Sequence, residues 1–283
     1  MGSCVCYDLG SRPCYCSSIT TCAVESFTQL PPSRPGSKHN AYRYLLTMPE
    51  TRSVTTRQLL KQRLAEVDRR IREAEMRFGR SPGSVQLLPV SKTRPAADIA
   101  CLAQAGNRAF GESYLQEALG KQEELAALGL EWHFIGPIQS NKTQAIARHF
   151  DWVHSVDREK IARRLSAQRP PQLAPLNVCL QVNISGEASK SGCALDELPA
   201  LAAGVRELPG LRLRGLMAIP ARESDFGRQR AAFRRLREAC DALNATGLTL
   251  DTLSMGMSGD LEAAVAEGAT MVRVGSDIFG PRK

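Results

Sequence analysis

At 283 residues, 43% hydrophobic and 23% charged, the chain has ordinary globular composition and room for one large barrel or two smaller domains. A formal charge of +8 would suit a polyanion, but the arginines lie along helical segments such as 69–80 and 228–237, and only 5% of residues are aromatic. That argues against a nucleic-acid partner and for a small phosphate compound, and no apolar stretch reaches the roughly 18–20 residues of a membrane crossing.

Residues 1–47, rich in Ser, Pro and Cys, predict a disordered extension. Met48 directly precedes the first helical pattern and is expected to be the natural start, with 48–283 forming one barrel domain. Of nine cysteines, five (Cys4, Cys6, Cys14, Cys16, Cys22) fall in that extension, and no histidine or C-x-x-C partner completes a metal site there. The others (Cys101, Cys179, Cys193, Cys240) lie in apolar or helical segments, which reads as a reduced, cytoplasmic protein.

Leu60, Leu64, Val67, Ile71, Ala74 and Phe78 form the apolar stripe of one helix, closed by Gly79. After it, apolar or β-rich runs near 85–91, 108–111, 131–136, 152–156, 176–184, 211–219, 252–255 and 270–275 alternate with helical patterns. Those helices are expected over 95–105, 114–128, 141–150, 157–169, 194–208, 223–246 and 259–267. Eight strands alternating with helices predict a parallel (β/α)8 TIM barrel, with an open doubly wound sheet as the alternative. Neither a Gly-x-Gly-x-x-Gly run after the first strand nor a Walker A motif occurs.

In such a barrel the chemistry lies at the C-terminal strand ends. Those ends bring together Lys92, Glu112-Ser113, Gly136-Pro137, Ser155, Asn183, Met217 to Pro220, Ser254 to Ser258 and Arg273 to Ser276. Lys92 closes an apolar run, where desolvation favours the neutral amine that condenses with aldehydes; the alternative is a lysine that snorkels to solvent. Ser258 with Gly259, and Gly275 with Ser276, end the last two strands, where barrels hold phosphate; each serine could instead cap a helix. Arg273 projects into the same mouth, either to a ligand or to a salt bridge. A lysine opposite a phosphate cradle describes pyridoxal phosphate (PLP), and an arginine at its pyridine nitrogen would leave that nitrogen unprotonated and the ring a weak electron sink. His133 falls early in the third strand, as a packed or hydrogen-bonded histidine.

The segments Val90-Ser91-Lys92-Thr93, Phe110-Gly111-Glu112, Trp132 to Lys142, Ser189-Lys190-Ser191-Gly192, Gly215-Leu216-Met217, Leu253 to Ser258 and Arg273-Val274-Gly275 resemble the pyridoxal-phosphate homeostasis protein family over roughly residues 57–282. The resemblance implies an alanine-racemase barrel (fold type III) without its C-terminal β-domain. It implies Lys92 as the aldimine lysine, Arg273 near the pyridine nitrogen, and Ser258, Gly275 and Ser276 at the phosphate. Ser113, Met217 and Lys190 are further candidate contacts. Two departures stand out: Ser113 where relatives usually carry asparagine, and Arg94 where they commonly carry lysine.

The expected function is a PLP carrier in cofactor homeostasis, a monomer that buffers the aldehyde or delivers it to apo-enzymes. The alternative is an amino-acid racemase using the same cofactor, and a third is a Schiff-base aldolase with Glu112 as proton shuttle. A racemase of this fold needs a second acid/base, commonly a tyrosine from the added domain. All five tyrosines lie at or before position 114, so the carrier is preferred.

Overall fold

A computed structural model describes residues 54–187 and 191–281. The expectations for residues 1–47, Met48 and Lys190 fall outside the described residues.

The opening helix α1 (Val54–Arg77) buries Leu60, Leu64, Val67, Ile71 and Ala74, the stripe read from the sequence. The first half-barrel follows as β1 (Gln86–Pro89), α2 (Ala96–Gln104), β2 (Ala109–Glu112), α3 (Leu115–Glu124), β3 (Glu131–Phe134), α4 (Thr143–His149) and β4 (Trp152–Val156). The second comprises α5 (Glu159–Gln168), β5 (Leu176–Gln181), α6 (Leu198–Arg206), β6 (Leu211–Met217), α7 (Phe226–Ala245), β7 (Thr252–Ser254), α8 (Leu261–Ala266), β8 (Met271–Val274) and α9 (Ser276–Phe279). Short 3-10 turns occupy Ala126–Leu128 and Ser140–Lys142.

All pairings are parallel, in the order β1-β8-β7-β6-β5-β4-β3-β2. The seam between β1 and β2 is joined by the Val90–Gly111 bridge and by Ser91 N–H donating to Gly111 O at 2.9 Å. The sheet is therefore a nearly closed (β/α)8 barrel, the alternative of an open sheet being excluded by that seam. Helices cover its outside, and the shell between them and the strands is apolar, as both faces of a parallel sheet require.

Two small apolar clusters, Leu88 with Ala109 and Met271, and Trp152 with Cys179 and Met217, are separate from that shell. Other buried strand positions are polar: His133, His154, Ser254 and Arg273. Cys101, Cys179, Cys193 and Cys240 are buried free thiols. Among the described residues no helix is long and apolar enough to cross a membrane.

Candidate functional site

Lys92, Ser113, Ser258, Arg273, Gly275 and Ser276 all line one cleft of about 510 Å3 at the C-terminal ends of the strands. That volume lies within the usual range for small-molecule sites. Four connections, after β1, β2, β7 and β8, together with strand β8 itself, bring these residues to one mouth.

The peptide around Lys92 is held on both sides. Ser91 O accepts from the Lys121 ammonium at 2.8 Å, and Thr93 N–H donates to Glu117 Oε1 at 2.6 Å. Lys121 also donates to Glu117 Oε1 (2.5 Å) and Glu112 Oε1 (2.6 Å), and Ser91 Oγ donates to Glu112 Oε1 at 2.7 Å. Thr93 adopts φ 64°, the only positive φ of a non-glycine residue among the described residues. A β-branched residue there is strained, so the clamp offsets a conformational cost. Glu112 is fully buried behind Ser91 and does not line the cleft; burial raises its pKa, with Lys121 opposing. The aldolase reading loses its proton shuttle with that placement.

Arg273 is 4% exposed and lines the cleft. Its Nη1 donates to Ser254 O and, at 2.8 Å, to Ser254 Oγ, while Nη2 donates to Ala218 O at 2.9 Å. These acceptors are neutral, so the salt bridge weighed from the sequence is not the arrangement found. Burial pushes the guanidinium down to about 10, with Asp260 opposing, and it stays protonated at neutral pH. A buried cation bordering a cleft, bonded only to neutral oxygens, suits a ligand that brings an acceptor.

Ser258 Oγ and Ser276 Oγ face each other at 3.1 Å. Neither caps a helix through its side chain: Asp260 stands at the start of α8 and Gly275 at the start of α9. Arg70 of α1 fixes this corner, donating to Ser258 O (3.1 Å) and pairing with Asp277 (2.7 Å) and Glu262 (2.9 Å). At Gly275 an added Cβ would lie 3.3 Å from Val90 O, so the backbone runs close to the end of β1. Ser113 is set by a tighter approach, since a Cβ on Gly136 would fall 2.2 Å from Ser113 O.

Met217 is placed differently from the expectation. It is fully buried with Trp152 and Cys179 and is absent from the cleft wall. Arg94, the other departure, donates from Nη2 to Gly280 O and Pro281 O, tying the loop after β1 to the chain's last described residues. Sequence reasoning missed Asp260, Arg222 and Glu223 on the cleft wall, and Lys121 and Glu117 behind it. The Glu117–Lys121 spacing of four on one helix was the available signal for the second pair.

Residues 63–283 match the family described as alanine racemase, N-terminal domain. The "Pyridoxal phosphate homeostasis protein" of Pseudomonas aeruginosa is 65% identical over 223 residues, covering 79% of this chain and 96% of that protein. This chain belongs to the pyridoxal phosphate homeostasis protein family. Its Escherichia coli member is 56% identical over 222 residues, 77% of this chain and 95% of that one. Among solved structures, that of Synechococcus elongatus PipY with PLP bound superposes with a TM-score of 0.68 at 38% identity, covering 78% of this chain and all (100%) of PipY.

Proposed function

We propose that this chain binds PLP in the barrel-mouth cleft and serves cofactor homeostasis as a carrier, with little or no catalysis. The observation that carries this reading is the convergence of Lys92, Arg273, Ser258 and Ser276 on one cleft. When bound, PLP supplies an aldehyde able to condense with a lysine amine. Lys92 is the residue assigned to hold it, on a peptide whose two neighbours are clamped by Lys121 and Glu117. Arg273 donates to the pyridine nitrogen, and because it stays protonated it leaves that nitrogen without a proton. Ser258 and Ser276 contact the phosphate together with the Gly275 and Ser276 backbone, and Ser113 borders the same cleft. Lys190 is retained as a further proposed contact.

The non-catalytic part of the proposal rests on acid/base supply. A racemase needs two opposed proton-transfer groups. Tyr114, the tyrosine nearest the mouth in the sequence, is 52% exposed and does not line the cleft. The carrier role is tested by mixing PLP-loaded protein with an apo-enzyme that requires PLP and following its reactivation. The same protein is assayed for racemisation of several amino acids. Reactivation without turnover is expected; robust racemisation would contradict the carrier reading. The recipients are proposed to be apo-PLP enzymes, met by a monomer in a reducing cytoplasm; the four buried free thiols support that compartment.

A further inference from the structure

Below Arg273 a chain of hydrogen bonds runs the depth of the barrel. Arg273 Nη1 donates to Ser254 Oγ at 2.8 Å, and Ser254 Oγ lies 2.8 Å from His154 Nδ1. His154 Nε2 is 2.9 Å from His133 Nδ1, and His133 Nε2 is 2.8 Å from Glu131 Oε1. Glu131 is the first residue of β3, at the rim opposite the cleft, and its side chain is 45% exposed. Since β4 and β7 are separated by β5 and β6 in the sheet, the His154–Ser254 bond crosses the barrel interior.

The two ends determine the direction of every link. An ionised carboxylate only accepts, so His133 carries its proton on Nε2 and, as a neutral ring, accepts at Nδ1. His154 must then donate from Nε2 and accept at Nδ1, which leaves Ser254 to donate to it. Ser254 Oγ in turn accepts from Arg273, which can only donate. Burial lowers the pKa of both rings, His154 well below its ordinary value with His133 and Arg273 adding to the effect. The hydrogen bond from His133 holds the Glu131 carboxyl below its ordinary value. Neutral rings and an ionised carboxylate are the states this environment favours.

We propose that Ser254, His154 and His133 are positioning residues that fix the Arg273 guanidinium at the cleft and couple it to the Glu131 carboxylate on the far rim, both rings being neutral Nε2–H tautomers. The aligned dipoles polarise one another and place negative charge behind a buried cation whose direct contacts are all neutral. The cleft edge of Arg273 is thereby kept for the ligand's acceptor. This inference rests on the PLP reading only where ligand is measured; the tautomers are a property of the protein alone.

Long-range 15N–1H spectra of histidine-labelled protein without added ligand read the tautomers at pH 7, with His133→Gln and His154→Gln assigning the signals. Unprotonated Nδ1 and protonated Nε2 are expected for both rings; an Nδ1–H tautomer or an imidazolium at either would overturn the relay. Ser254→Ala is expected to move the His154 Nδ1 resonance, weaken PLP binding about tenfold, the equivalent of one lost charged hydrogen bond, and shift the visible band. Glu131→Gln, at an accessible site, is expected to shift the same band without unfolding. Unchanged resonances and an unchanged band in both variants would refute the coupling. If Ser254→Ala fails to fold, the wild-type tautomers and Glu131→Gln decide. A wild-type protein with the expected tautomers but no PLP band would sink the ligand reading and leave the relay standing.

Discussion

Lys121 donates to the carbonyl oxygen of Ser91, one residue before Lys92, at 2.8 Å. The same ammonium pairs with fully buried Glu112 and with Glu117, which receives the N–H of Thr93 on the other side. Removing the cation leaves the Glu112 carboxylate buried and uncompensated. Lys121→Met is therefore predicted to cost about 3–5 kcal/mol in urea unfolding, with at least half recovered in Glu112→Gln/Lys121→Met. A loss below about 1 kcal/mol would mean that the clamp is not a structural element of the Lys92 loop.

The end of β3 packs backbone to backbone against the connection after β2. Gly136→Ala puts a Cβ where the Ser113 carbonyl oxygen now lies 2.2 Å away, and neither chain has a flexible side chain that can yield. Thermal unfolding should show a destabilisation of about 1–3 kcal/mol or more. PLP binding should weaken as well, because Ser113 borders the cleft. Full stability in this variant would show that the two connections can separate without cost.

Neutral buried histidines make a definite pH dependence. Both His133 and His154 have folded pKa values depressed from 6.5, so their contribution to stability is present above 6.5 and is lost as pH falls toward the folded values. Below 6.5 the unfolded chain binds protons that the folded one does not, and stability falls by up to about 1.4 kcal/mol per pH unit for each ring. Asp151, Glu131 and Arg273 face these rings, and Glu131 partly offsets the effect at His133. Urea titrations at pH 7.5 and 5.5 should show the drop in wild type and a smaller one in His133→Gln/His154→Gln. Equal slopes in the two proteins would contradict the neutral assignment.

The serine corner has its own signature. If Ser258 and Ser276 hold the phosphate, pyridoxal without its phosphate should bind much more weakly than PLP. Ser258→Ala/Ser276→Ala should narrow that gap by about tenfold, as two hydroxyl contacts are lost. Competition by inorganic phosphate against PLP, measured by the visible band, should weaken in parallel. Identical affinities for the two ligands in wild type would place the phosphate elsewhere.

The barrel was legible because its punctuation is local. Helix-stopping glycines such as Gly247 and Gly268 adopt φ 91° and 95°, which few other residues tolerate, and the apolar runs between them are the strands. The α9 turn, Ser276–Phe279, escaped because four residues give no period to read. That Lys92, Arg273, Ser258 and Ser276 would line one mouth was legible from their places at strand ends, which left the role of each open. Met217 was not: both the cleft and the interior lie on the inward side of β6, and periodicity does not tell depth within a barrel. The Glu131-to-Arg273 relay was hidden for a related reason. Its links join β3, β4, β7 and β8 across the interior, and no sequence spacing encodes that meeting.

The central claim is that Lys92 tethers PLP in this cleft, and borohydride trapping tests it most directly. Wild type and Lys92→Ala are incubated with PLP, their visible spectra recorded, and each is reduced, digested and mapped by mass spectrometry. The account predicts a visible band in wild type, one reduced pyridoxyl adduct on the peptide carrying Lys92, and neither in Lys92→Ala. An unchanged band in Lys92→Ala, or an adduct concentrated on another lysine in wild type, would contradict it.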